Sequence, residues 1–120
     1  MKECEYKGEF SSWSDVVSSF CGISQYSADY KKFDPAKICD PDEVLYANYD
    51  CPPYEGSALV MWRKGRKYYI LSGSHCSCYG LEETGWSPEE FKSKKDFKAF
   101  LEKASYYYFD NDVKELLKRL

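Results

Sequence analysis

The sequence predicts an α+β domain, a small antiparallel sheet of about three strands covered by roughly three helices. Three segments repeat apolar residues at i, i+3, i+4 and i+7, which is one buried face of a helix. Between the first and second of them lie three short runs of β-branched and aromatic residues. The last two runs are joined by Arg63-Lys64-Gly65-Arg66-Lys67, whose glycine suits a tight turn. The chain has 120 residues, 43% of them apolar and 18% aromatic, enough for one core and one domain over residues 1–120.

The first helix is carried by Trp13, Val16, Val17 and Phe20, with Ser12 and Asp15 as its start and Gly22 as its stop. Residues 24–42 contain two Asp-Pro steps and little periodicity, so they read as a long ordered connection. Strands follow at Val44–Tyr49, Ala58–Trp62 and Tyr68–Leu71, with Pro52-Pro53 and Gly56 breaking the chain between the first two. Trp86-Ser87-Pro88-Glu89-Glu90 reads as a short helical turn, with serine as cap and proline at the first position. Trp86 is expected to cover the loop before it. The second helix carries Phe97, Phe100, Leu101 and Ala104 and is capped by Ser93 with Asp96. The third carries Val113, Leu116, Leu117 and Leu120. Asp110 and Asp112 sit at its positive end, and Lys118 and Arg119 at its negative end.

Twenty acidic and 17 basic residues give a formal net charge of -3, too balanced for a protein that coats nucleic acid by charge alone. The first residues contain no apolar stretch for secretion, and no segment reaches the length of a membrane span. A cytoplasmic location and no membrane contact are therefore expected. In a reducing compartment, six cysteines argue for thiols or metal rather than disulfides, and Cys4, Cys21 and Cys39 are expected as free thiols.

The run Gly73-Ser74-His75-Cys76-Ser77-Cys78-Tyr79-Gly80 holds the one histidine of the chain and two of its cysteines. Thiolate and imidazole together favour zinc, and a structural zinc site takes four such ligands. In extended chain Cys76 and Cys78 share a side that His75 does not, so convergence of the three requires a turn, which Gly73, Ser74, Ser77 and Gly80 permit. Cys51, in the loop after the first strand, is the leading fourth ligand, with Asp50, Glu55, Glu82 and Glu83 as substitutes. The same residues also read as buried reduced thiols beside a satisfied histidine, or as a redox pair, although Cys-x-Cys lacks the spacing of redox enzymes. The signature of zinc deaminases fails, because it needs His-x-Glu where His75 is followed by Cys76-Ser77, and the cysteine pair is one residue too close. No phosphate-cradling glycine loop or H-E-x-x-H motif occurs.

Tyr106-Tyr107-Tyr108-Phe109 joins two of the helices and is read as junction packing, with partner contact as the functional alternative. The basic hairpin turn and the lysines at 92, 94, 95 and 98 read as solvated surface rather than phosphate grips.

The stretch Tyr54-Glu55-Gly56-Ser57-Ala58, the hairpin, the string Gly-Ser-His-Cys-Ser-Cys-Tyr-Gly-Leu-Glu over 73–82, then Trp86 and Pro88-Glu89-Glu90, resembles a family of small bacterial and phage proteins. It covers the central third of the chain, and within that family the chain looks like a zinc-binding type II-A anti-CRISPR protein. The resemblance implies His75, Cys76 and Cys78 in a structural zinc site at the sheet end. It brings no cysteine to position 51, so an acidic fourth ligand stands beside Cys51. It further implies a stoichiometric inhibitor, not an enzyme. Its partner would be a host CRISPR effector nuclease, met by protein contact in the bacterial cytoplasm without direct nucleic-acid binding. The alternatives are a zinc-dependent hydrolase or nucleic-acid-modifying enzyme, with Glu82 or Glu83 as base, and a zinc module that binds nucleic acid. Four protein ligands would favour the structural role, three plus water the catalytic one.

Overall fold

The computed structural model describes residues 2–21, 41–50, 55–76, 81, 86–106 and 109–120. They form three helices and five strands: β1 (Lys7–Gly8), α1 (Trp13–Cys21), β2 (Glu43–Asp50), β3 (Glu55–Lys64), β4 (Lys67–Cys76), β5 (Glu89–Phe91), α2 (Lys94–Lys103) and α3 (Asp110–Arg119). The α+β class is as expected, but the sheet is larger than the sequence suggested. It is mixed, with strand order β1-β2-β3-β4-β5, because β1 runs parallel to β2 while every other pair is antiparallel.

The two additional strands are two and three residues long, too short to display a period of two. The helical turn expected at Glu89-Glu90 is a correction. Those residues pair with Tyr69 and Ile70, and Glu90 meets Lys67 Nζ at 2.8 Å. Pairing with an open neighbouring strand outweighs the local Ser-Pro helix signal. Gly56 is likewise no breaker, since β3 begins at Glu55 and continues through it.

Alternation along the central strands builds two cores, one on each face of the sheet. Ala58, Val60 and Trp62 of β3 join α1 through Trp13, Val16, Val17 and Phe20. Leu59 and Met61 face the other way and meet Phe97 and Leu101 of α2 and Val113 and Leu116 of α3. With β3 buried on both faces, an alternating polar pattern is absent from it, as in any strand covered on both sides. In β2 the register passes from Val44 opposite Trp62 to Tyr46 opposite Met61, leaving Leu45 as a bulge. The extra residue shifts the phase, so Val44 packs into the first core and Tyr46 into the second.

All three tryptophans sit in the first core or against it. Trp62, 1% exposed, stacks at 5.4 Å on Tyr69 and at 5.4 Å on Trp86, while Trp13 meets it edge-on at 5.4 Å. Trp86 therefore seals the α1 side of the sheet, and contact with residues 77–80 falls outside the described residues. On the other face Tyr68 stacks on Phe97 at 4.9 Å.

The helix ends follow the sequence. Ser12 Oγ accepts from the Asp15 amide at 3.2 Å, and Ser93 Oγ accepts from the Asp96 amide at 3.2 Å. At α3 no side chain caps Phe109. Asp110 instead turns back to accept from the Tyr106 amide at 2.7 Å and from Ser105 Oγ at 3.1 Å. Asp112 in the first turn accepts from the Tyr46 hydroxyl at 2.5 Å and faces Lys7 Nζ at 3.5 Å, tying α3 to β2 and β1. The connection read over 24–42 lies outside the described residues except for Pro41 and Asp42. Among the described residues no helix is long and apolar enough to cross a membrane.

Candidate functional site

The sheet brings three chain ends together. Asp50 ends β2, Glu55 begins β3 and Cys76 ends β4, and register pairs Asp50 with Ser57, Gly56 with His75, and Glu55 with Cys76. Cys51 follows Asp50 directly, and Ser77 and Cys78 follow Cys76, so the segments that carry the predicted ligands leave the sheet at one end. Cys51, Cys78, Glu82 and Glu83 themselves lie outside the described residues, as does the side chain of Cys76. Among the described residues there is no group of three His, Cys, Asp or Glu side chains able to hold a metal.

The turn that Gly73, Ser74, Ser77 and Gly80 would permit does not begin before Cys76, and residues 77–80 lie outside the described residues. Extended pairing with β3 runs unbroken through Gly73, Ser74, His75 and Cys76. A small-residue run permits a turn but does not require one, and the facing Glu55-Gly56-Ser57-Ala58 segment offers the ladder partners that extend the strand.

His75 is the described member of the candidate set, and two residues that the sequence reading did not single out as site residues hold it. The Tyr49 hydroxyl contacts His75 Nε2, with ring centroids 5.7 Å apart and planes at 84°. Tyr49 is itself fixed by β2 pairing and by Phe10, whose ring lies 5.4 Å away. Gly56 provides the space, because a Cβ there would stand 2.9 Å from both His75 Cε1 and Tyr49 Cε1. A glycine inside a strand run is the signal of such a close approach. Nothing in the sequence links Tyr49 to His75, since β3 separates their strands.

The donor types suit zinc. A histidine oriented by a hydrogen bond at one ring nitrogen is the usual arrangement of a metal-ligating imidazole. Cys4 and Cys21 are free thiols, as expected, and partly buried. Burial pushes both thiols above their ordinary pKa, which keeps them protonated at neutral pH and poor as ligands or nucleophiles. Cys39 lies outside the described residues.

The chain matches no protein-family model, no curated protein and no solved structure. Function therefore has to be argued from the site and the surfaces around it.

Those surfaces are divided by charge. Glu9, Asp50 and Glu55 are exposed near the His75 end, and Glu9 is placed there by its amide, which donates to the Tyr49 carbonyl at 2.9 Å. None of the three forms an ion pair among the described residues. At the opposite end the basic hairpin is largely answered by acids. Arg63 faces Asp42 at 3.8 Å and Glu43 at 3.6 Å, and Lys67 faces Glu90. The Gly65 amide donates to Asp42 Oδ2 at 2.6 Å, which holds the Asp42 carboxyl below its usual range, with Arg63 adding to the effect. This is the solvated turn that the sequence suggested.

Among the described residues no tyrosine is fully exposed. Tyr46 and Tyr68 are buried, and Tyr6, Tyr49, Tyr69 and Tyr106 are partly buried. Tyr106 and Phe109 pack into the second core at the α2–α3 junction, while Tyr107 and Tyr108 lie outside the described residues.

Proposed function

We propose that the chain is a small zinc protein that acts as a stoichiometric inhibitor of a type II RNA-guided nuclease, with the metal in a structural role. The observation that carries the reading is the gathering of the β2, β3 and β4 ends around a half-buried His75 held by Tyr49. Zinc would be bound there by His75, Cys76 and Cys78, with Cys51 or an acid completing the set. Zinc so bound would fix the segments that leave the sheet at this end.

The exposed acids Glu9, Asp50 and Glu55 supply the chemistry for a partner. A nuclease that handles guide and target strands presents basic surfaces, and carboxylates that form no ion pair among the described residues are placed to meet them. The paired hairpin cations support protein contact over nucleic-acid contact, since Arg63 and Lys67 already face acids.

The test combines two measurements. Metal content of the purified chain should approach one zinc per molecule. Addition of the zinc form to a type II nuclease with its guide should abolish target cleavage near equimolar ratio, without turnover. Metal without inhibition would defeat the inhibitor reading and leave the zinc reading standing.

A further inference from the structure

We propose that the groove between the amino-terminal segment, the start of α2 and the end of α3 binds an anionic amphiphile. Its carboxylate or phosphate head would lie between Lys94 and Arg119, and its apolar tail along Leu45, Leu116 and Leu120. The groove sits at the hairpin end of the sheet, away from His75, and does not depend on a metal. Its main cavity, about 320 Å³, takes its apolar lining from Val44, Leu45, Tyr68, Leu116 and Leu120. Small-ligand sites occupy about 300–1,000 Å³. A neighbouring cavity of about 210 Å³ shares Cys4, Leu45 and Arg119 with it, so the groove continues along α3.

The rim sets the sign of the ligand. Of its acids, Glu43 is held by Lys2 at 3.4 Å and by Arg63 at 3.6 Å, and Glu3 accepts from the Tyr6 hydroxyl at 2.8 Å. Lys94 and Arg119 form no ion pair among the described residues. Lys94 and Lys95 stand in the first turn of α2, the positive end of the helix, where cations are unfavourable. Their position therefore does nothing for the helix itself. Lys94 also borders a hollow of about 510 Å³ with Lys95, Lys98 and Leu120, where Glu102 is the acid against three lysines. The floor comes from the bulge in β2. Leu45 leaves the ladder there and turns onto the α3 side, where it and Leu120 remain only partly buried. Apolar surface beneath uncompensated cations fits a ligand with both a charged head and a tail.

The experiment titrates the full chain with decanoate and with decyl phosphate, both below micelle formation, and reads binding by calorimetry. Each should saturate at one molecule per chain, and the tighter of the two identifies the head group. Decyltrimethylammonium, with the same tail and the opposite charge, and inorganic phosphate, with no tail, should each bind at least about 10-fold more weakly. In the wild-type chain the methyl resonances of Leu45, Leu116 and Leu120 should move with decanoate, a readout that needs no variant to fold. Lys94→Gln combined with Arg119→Gln should weaken decanoate binding about 10-fold or more. Lys103→Gln, at the exposed far end of α2, should leave it unchanged. Equal binding of decyltrimethylammonium would overturn the charge selection, and equal binding of inorganic phosphate the role of the tail. Methyl shifts elsewhere, or an unchanged affinity in the double variant, would overturn the site. Sedimentation with anionic phospholipid vesicles, without uptake of the monomeric decyl anions, would replace the groove by surface adsorption and overturn it as well.

Discussion

Gly56 faces His75 across the β3–β4 ladder, and the imidazole covers the place where a side chain at position 56 would begin. Gly56→Ala must therefore displace His75, Tyr49 or the backbone, and overpacking of this kind costs about 1–3 kcal/mol. The urea midpoint should fall accordingly. In a His75→Ala background the same change should cost much less, a coupling that a double-mutant cycle reads directly.

Removal of the metal should unfold more than the loop. Binding at structural zinc sites is worth about 10–16 kcal/mol at neutral pH, against about 5–15 kcal/mol for the stability of a whole domain. Chelation is expected to lower the melting temperature by at least 10 °C, about 2 kcal/mol or more for a domain of this size. An unchanged melting curve, in protein shown by mass spectrometry to be free of metal, would remove the structural role.

Alkaline pH should destabilise the fold in two stages. Burial raises the Cys4 and Cys21 thiols above 9.0 in the folded state. Burial, with Asp112 as acceptor, raises Tyr46 above 10.0, and burial pushes Tyr106 up to about 12. Below these unfolded-state values each group is protonated in both states. Above them the native chain keeps protons that the unfolded chain releases, so stability is lost as pH rises. The decline should begin above pH 9 and steepen above pH 10. Tyr46→Phe, which loses the bonds to Asp112 and Asn48, should cost about 1–2 kcal/mol at pH 7 and show a shallower fall above pH 10.

Trp62 is the largest fully buried side chain and carries stacking contacts on Tyr69 and Trp86. Trp62→Ala should cost about 3–5 kcal/mol, whereas loss of the α2 cap in Ser93→Ala should cost about 1 kcal/mol. Equal losses in urea titrations would contradict the placement of the first core around Trp62.

The helices were legible because each exposes its stripe and caps within a single segment: Trp13 to Phe20 after Ser12, and Phe97 to Leu101 after Ser93. The central strands were legible through Val, Ile, Tyr and Trp. What escaped was non-local. Lys7 and Gly8 form a strand only because β2 offers them an edge, and Glu89-Glu90 are extended only because β4 does. The site divides in the same way. His75 announced itself by residue type, whereas Tyr49 and Gly56 matter through neighbours on other strands. Gly56 could have been found by asking why a glycine lies within a strand run, and Tyr49 could not.

The parallel pairing of β1 with β2 bears on the order of assembly. β3 and β4 close across a two-residue turn at Gly65 and Arg66, whereas Lys7 must meet Asn48 across a far longer stretch of chain. Loop-closure entropy favours the hairpin as the first structure and the amino-terminal strand as a late clasp. In hydrogen exchange the Glu9 amide, which ties that clasp to the Tyr49 carbonyl, is expected to open long before the amides of Leu59 and Val60. Lys7 and Gly8 would then stay unpaired until the sheet behind them is complete.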